Sequence, residues 1–146
     1  MNIYHNSKKK ASYQNFLKQL EANKKYEIEA VKRITQLNGT ELKQMCNDNK
    51  FDFETSDGLT FEVKADHKAL KTGNFFIEYH GYGKPSGISI SKANYYVLTD
   101  TKYYILISTD KLKLLTENCQ IMKTFDGLTS GYLLNRWTLL KNSVCI

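Results

Sequence analysis

At residue 51 the spacing of apolar residues switches from a helical period to strict alternation. Phe51 and Phe53 alternate with acidic residues, and the same alternation returns over residues 59–65. A period of two is the pattern of a β-strand that buries one face. Ser56-Asp57-Gly58, between the two segments, is typical of a tight turn. Residues 51–54 and 59–65 therefore predict a β-hairpin.

The predicted hairpin brings acidic side chains together. With the turn centred on Asp57, Asp52 lies opposite Glu62 and Phe53 lies opposite Phe61, so one face is apolar. The other face carries Asp52, Glu54, Glu62 and Lys64. Carboxylates that oppose each other repel unless a cation lies between them, and oxygen ligands suit Mg²⁺ or Mn²⁺. An ordinary solvated hairpin face is the alternative interpretation.

The first third of the chain predicts two helices. The first follows Ser12, a predicted N-cap, with apolar residues at helical spacing: Tyr13, Phe16, Leu17 and Leu20. The second spans residues 24–37 and stops at Asn38-Gly39. Its inward stripe is Ala30, Val31, Ile34 and Leu37.

Glu27 belongs to the inward stripe of the second predicted helix. A carboxylate there is costly to bury unless a metal, or a lysine beside a metal, pairs with it. A helix end at which Glu27 reaches water is the alternative.

The remaining pattern predicts an α/β or α+β domain with a mixed central sheet flanked by helices. Residues 40–50 are polar and predict a helical turn, and residues 89–93 predict a short helix or turn. Further strands are predicted at residues 74–80, 95–99, 103–108 and 131–134, and a helix capped by Ser108 runs to about Glu117.

Composition limits the classes of protein. The chain has 146 residues, which suits one domain, and a formal charge of +6, which is compatible with a polyanionic partner. Three cysteines and three histidines form no zinc or disulfide pattern. The first residues lack the apolar run of a secretion signal and no segment has membrane-spanning length, so we expect a cytoplasmic protein without a membrane partner.

The order and spacing of these acids resemble the PD-(D/E)xK nuclease superfamily over roughly residues 24–108. Its pattern is a helix that carries an acid, then an Asp, and after ten or more residues a Glu/Asp-x-Lys. Here that is Glu27, Asp52 and Glu62-Val63-Lys64, with Phe51 in the place of the name-giving proline.

The resemblance implies a restriction-endonuclease-like core over about residues 24–117, with residues 1–22 as a helical extension. Asp52 and Glu62 would ligate Mg²⁺ or Mn²⁺ together with the Val63 backbone carbonyl. Lys64 would position the attacking water, and Glu27 would support a second metal or the lysine. Glu78, on the strand at residues 74–80, is a further candidate.

The glycine-rich loop at residues 81–87 is the predicted DNA contact. Glycine lets backbone N–H groups approach phosphates, and hydroxyl and lysine side chains donate to them. The predicted DNA-binding residues are Tyr82, Lys84, Ser86, Gly87 and Lys92, the last near the start of a helix. A plain surface turn is the alternative. Lys8-Lys9-Lys10 is either a solvated arm or a DNA contact.

These patterns predict a divalent-metal-dependent deoxyribonuclease, a phosphodiesterase of the structure-directed type such as a junction resolvase or a recombination and repair enzyme of a phage. A restriction-type endonuclease or an exonuclease of the same fold is the alternative within the family. A non-catalytic nucleic-acid-binding module and a protein-interaction domain stay open as other classes. Paired cuts in two strands would suit a homodimer.

Overall fold

The computed structural model describes residues 3–46 and 50–146, with side chains described at Lys18 and, within those ranges, from Glu21 onward. The elements in chain order are α1 (Ile3–Asn38), β1 (Leu42–Met45), β2 (Phe53–Thr55), β3 (Thr60–Ala65), α2 (Ala69–Thr72), β4 (Asn74–Gly81), β5 (Lys84–Pro85), a 3₁₀ turn (Gly87–Ser89), β6 (Tyr95–Thr99), β7 (Tyr104–Ser108), α3 (Thr109–Thr116), β8 (Gln120–Lys123), β9 (Thr129–Asn135), α4 (Arg136–Lys141) and β10 (Val144–Cys145).

One continuous helix, α1, replaces the two predicted helices. The prediction of a break between residues 20 and 24 was wrong, and Ser12 lies inside the helix rather than at its N-cap. The reason is local, because α1 contains neither glycine nor proline to interrupt it. The predicted stop is confirmed: α1 ends at Asn38, and Gly39 has a φ of 62°.

The central sheet has the strand order β1-β2-β3-β6-β7-β10 among the described residues. Its β3–β6 pair is parallel and its other pairs are antiparallel, so the predicted mixed sheet is confirmed. Helix α1 packs on one face through Tyr26, Ala30 and Ile34 against Phe53 and Phe61. Burying these apolar faces against each other fixes the helix across the hairpin.

The hairpin register is the predicted one. Phe53 lies opposite Phe61, and their rings stack with centroids 4.8 Å apart. The strand pairing of β2 starts at Phe53, so Phe51 and Asp52 lie just outside the strand.

A second sheet, with strand order β5-β4-β9-β8, was not expected. The strand at residues 74–80 exists as β4, but it pairs with β5 and β9 rather than joining β3 in the central sheet. One face of this sheet packs on the central sheet, since Phe75, Ile77 and Leu134 share a core with Tyr96 and Leu98.

Among the predictions for the other elements, some are confirmed and others are wrong. Strands β6, β7 and β9 and the Ser108 cap of α3, which accepts from the Lys111 N–H, are confirmed. The helical turn predicted within residues 40–50 is wrong, since residues 42–45 form β1, while residues 47–49 lie outside the described residues. The short helix or turn predicted at residues 89–93 lies earlier in the chain, as a 3₁₀ turn over Gly87–Ser89. Within the described part of the chain, no helix combines the length and the apolar character needed to cross a membrane.

Candidate active site

Glu62 and Lys64 lie on one face of β3 because side chains two residues apart on a strand point to the same side. The Lys64 Nζ atom lies 2.8 Å from the Glu62 Oε1 atom. The side chain of Glu62 is 15% exposed and that of Lys64 is 52% exposed, so the ammonium reaches solvent while the carboxylate is mostly covered. The Lys64 ammonium therefore lies at the surface and is held in place by the more buried Glu62 carboxylate.

Asp52 is held against the same strand by two backbone contacts. Its N–H donates to the Phe61 carbonyl at 2.9 Å, and its Oδ2 atom accepts from the Val63 N–H at 2.7 Å. The N–H and C=O groups of one strand residue point to the same side, so the Val63 carbonyl is directed toward the Asp52 side of β3. Asp52, Glu62 and this carbonyl are thus brought to one edge of the hairpin.

Glu27 approaches these residues from α1. The inward stripe is confirmed at Ala30 and Ile34, which are fully buried, but Leu37 is 54% exposed, so the stripe ends before the helix does. Glu27 is half-buried beside it. The pKa of Glu27 is raised, first by burial and then by the negative charge of Asp52, with a smaller contribution from Glu62. Glu27, Asp52 and Glu62 are distant in sequence but lie close enough for their charges to interact.

Burial also raises the pKa of the Asp52 carboxyl, although the Val63 N–H and Lys64 oppose this effect. Burial likewise raises the pKa of Glu62, with Lys64 lowering it and Asp52 raising it further. For Lys64, burial favours the neutral amine, but Glu62 and Asp52 together raise the pKa, so the ammonium stays protonated. The charged carboxylates are destabilised here, and Lys64, Lys24 and the Val63 N–H offset only part of this effect.

The donor chemistry fits a hard divalent cation with few protein ligands. Among the side chains that the structure describes, no three His, Cys, Asp or Glu residues are grouped closely enough to hold a metal by themselves. Mg²⁺ commonly needs only one or two carboxylates, because water and substrate phosphate complete its octahedral shell. Asp52 and Glu62, with the Val63 carbonyl beside them, meet that lower requirement.

Tyr96 lies directly across from Glu62 in the parallel β3–β6 ladder. Its side chain is only 2% exposed, and its hydroxyl makes no hydrogen bond with the described residues. Burial raises the pKa of Tyr96 to about 12, and the nearby Ser91 hydroxyl offsets part of this rise. A protonated hydroxyl is therefore buried next to Glu62.

A cleft of about 1020 Å³ begins at Lys64 and Tyr96 and continues over the second sheet. Its lining includes Phe76 and Glu78 of β4 and Lys123 of β8. Glu27, Asp52 and Glu62 do not line it, so Lys64 joins the acidic cluster to the cleft.

Of the predicted DNA-binding residues, only Gly87 lines this cleft, and the other four lie outside its lining: Tyr82, Lys84, Ser86 and Lys92. Tyr82 and Lys84 are exposed at the β4–β5 turn. Lys92 is exposed in a segment without regular structure, which corrects its expected place at a helix start. Gly87 packs so closely on the Glu78 backbone that no Cβ atom fits, so its first role is structural.

The chain matches no protein-family model, no curated protein and no solved structure. Its fold and its candidate site therefore stand on the residues alone.

Sequence reasoning missed Tyr96, Phe76 and Lys123. Tyr96 reaches Glu62 through parallel pairing between strands that are distant in sequence, and no local pattern reports such a pairing. Phe76 and Lys123 belong to the second sheet. The one available signal was the alternation over residues 74–80, which puts Phe76 and Glu78 on one face.

Proposed function

We propose that this protein is a divalent-metal-dependent deoxyribonuclease that hydrolyses phosphodiester bonds at the edge of the β2–β3 hairpin. Asp52 and Glu62 would hold the metal, Lys64 would act on the attacking water and the phosphate, and Glu27 would support the cluster. The acidic pattern and the mixed sheet agree with a PD-(D/E)xK nuclease, although a second sheet is added.

The observation that carries the proposal is the arrangement of Glu62, Lys64 and Asp52. The lysine ammonium lies 2.8 Å from the Glu62 carboxylate, and the Asp52 carboxylate is anchored 2.7 Å from the Val63 N–H. All three acids of the cluster have raised pKa values from burial, which means that their charges are incompletely compensated. A divalent cation would supply the missing positive charge.

The roles follow from this chemistry. A bound Mg²⁺ ion would polarise a phosphoryl oxygen and lower the pKa of a coordinated water. Lys64 remains protonated, so it would donate hydrogen bonds to the attacking water and to the phosphate rather than remove a proton. Its salt bridge to Glu62 would keep the ammonium oriented while charge develops on the phosphate oxygens.

Positive charge supports a nucleic-acid substrate. The chain carries a formal charge of +6, and the cleft that starts at Lys64 also contains Lys68 and Lys123. Lysines in such positions neutralise phosphates along a strand. A structure-directed enzyme, of the junction-resolving or repair type, remains the form of the activity that we propose.

The test is cleavage of supercoiled, flapped and four-way DNA by the full chain in Mg²⁺ and in EDTA. We expect cleavage in Mg²⁺, none in EDTA, and a loss of at least about a hundredfold in Asp52→Asn, because a ligand of the metal is weakened.

The matched control is Glu117→Gln, which neutralises an exposed acid after α3. It should cleave at the wild-type rate. Cleavage that survives EDTA, or Asp52→Asn that cleaves as fast as the control, would reject the metal-dependent site. Binding of these DNAs without cleavage would instead favour a non-catalytic module.

A further inference from the structure

We propose that the cleft beside Lys64 binds unpaired, single-stranded DNA, with bases stacking on Phe76 and Phe125 and phosphates contacting Lys68 and Lys123. This inference rests on the proposed function and narrows its substrate to DNA with a single-stranded segment.

The floor of the cleft is an aromatic ring that a glycine makes room for. Phe76 and Gly131 lie on the neighbouring strands β4 and β9, and a Cβ atom added at Gly131 would lie 2.5 Å from the Phe76 ring atom Cζ. Any side chain at residue 131 would therefore displace the ring. Because Phe76 is half-buried and lines the cleft, its position over Gly131 leaves part of the ring open to the cleft.

The outer wall is the β8–β9 hairpin. Phe125 lies in the turn of this hairpin, is fully exposed and lines the same cleft as Phe76. Met122, 40% exposed, lies across from Gly131 on β8 and also lines it. An apolar wall of this kind is costly to leave in water and offers a surface on which nucleobases stack.

Charge in the cleft favours an anionic chain. Lys64, Lys68 and Lys123 line it, whereas both oxygens of Asp66 are used by backbone N–H groups. Asp66 Oδ1 accepts from Lys68 and Ala69, at 2.9 and 3.1 Å, and Oδ2 accepts from Phe76 at 2.9 Å. Glu78 is the other carboxylate in the lining, so lysines outnumber acids there.

The size of the cleft suits a single strand. Its volume of about 1020 Å³ lies at the top of the range of roughly 300–1,000 Å³ that is typical of small-molecule pockets. That space accommodates a few unpaired nucleotides. Aromatic rings also require unstacked bases, and these are available only in unpaired DNA.

Because Lys64 lines the cleft, a strand bound there would lie next to the candidate active site. A strand that is seated on Phe76 and Phe125 would lead its backbone toward Lys64, the residue that the cleft shares with the acidic cluster. Flaps and branched junctions contain such unpaired segments beside a duplex.

The experiment is fluorescence anisotropy with a labelled oligothymidylate and with a blunt hairpin duplex of similar length, both in EDTA so that binding is measured without cleavage. We expect tighter binding of the single strand. Phe125→Ala and Phe76→Ala should each weaken it about tenfold, the effect of losing one stacked base. Lys123→Ala should weaken it less and should reduce the slope of affinity against salt by about one.

Two controls match these variants. Trp137→Ala removes an aromatic ring that is 70% exposed on α4 but does not line the cleft, and Lys111→Ala removes an exposed lysine on α3. Both should bind the oligothymidylate like the wild type. Phe125 makes the test safe against misfolding because its side chain is fully exposed, so its removal leaves the core intact.

Equal or tighter binding of the duplex would overturn the inference, and so would wild-type affinity in Phe125→Ala. These results are independent of the nuclease proposal, since EDTA removes metal chemistry. A protein that binds single strands as described but never cleaves DNA would keep the cleft and lose the proposed function. If the wild type cleaves DNA but Phe125→Ala binds single strands with wild-type affinity, the proposed function would stand and the cleft inference would fail.

Discussion

The Asp52 carboxylate accepts a hydrogen bond from the Val63 N–H at 2.7 Å, so an acidic side chain is built into the edge of the hairpin. The contact fixes one oxygen of Asp52 and orients the carboxylate beside Glu62. It also holds the Asp52 carboxylate in a largely buried position, and this burial raises the pKa of the Asp52 carboxyl.

Asp52→Asn should stabilise the metal-free protein at neutral pH. A carboxyl whose pKa is raised in the folded state favours folding when protonated, and this stability is lost as pH rises through the folded pKa. The neutral amide keeps the Val63 contact through its oxygen and avoids the buried charge. We expect a gain on the order of 1 kcal/mol, or a rise of about 3 °C in the Tm in EDTA.

The pH dependence separates this effect from a change in packing. The gain of Asp52→Asn over the wild type should shrink as pH falls toward 3.8, the ordinary value for Asp, because the wild-type carboxyl is then protonated as well. A gain that is independent of pH, or a loss of stability at pH 7, would contradict the electrostatic explanation.

Tyr96→Phe should raise stability and lower activity. The Tyr96 hydroxyl is buried and makes no hydrogen bond within the part of the chain that the structure describes, and such a group costs about 1–3 kcal/mol. Its removal should raise the Tm by a few degrees. We expect the hydroxyl to donate a hydrogen bond to a phosphate beside Glu62, so the rate of DNA cleavage should fall while the Tm rises. Unchanged cleavage would assign Tyr96 to the core alone.

Arg136→Ala should be among the more destabilising single substitutions. Arg136 Nη2 lies 3.0 Å from the Oδ2 atom of Asp100, which is fully buried. Removing the arginine leaves a buried carboxylate without its cation, although Oδ1 still accepts from the Lys102 and Tyr103 N–H groups. Breaking a buried ion pair in this way costs roughly 3–5 kcal/mol. Urea denaturation measures the loss, and Arg136→Lys, which retains a cation, should lose less. Equal losses in both variants would mean that packing, not charge, dominates.

The hairpin could be predicted because its own residues carry the signal. Phe53 and Phe61 alternate with polar residues, and that alternation predicts which residues of the two strands face each other. Strands β1 and β8 gave no such signal, since all four residues of each are exposed and one face does not differ from the other.

The cluster was predictable in part for the same reason. Glu62 and Lys64 are two residues apart on one strand, and Glu27 shares a helix face with Ala30. Tyr96 was not predictable, because parallel pairing of β3 with β6 depends on the chain between them. That intervening segment forms α2 and most of the cleft side of the second sheet, an arrangement set by packing between distant elements.

The most direct test of the central claim is the single-turnover rate of DNA cleavage in Mg²⁺ by the wild type, Lys64→Ala and Lys111→Ala. Lys64 is the side chain proposed to orient the attacking water, while Lys111 is an exposed lysine of α3. We predict a loss of about a hundredfold or more for Lys64→Ala and none for Lys111→Ala. Equal rates for all three proteins would contradict the account.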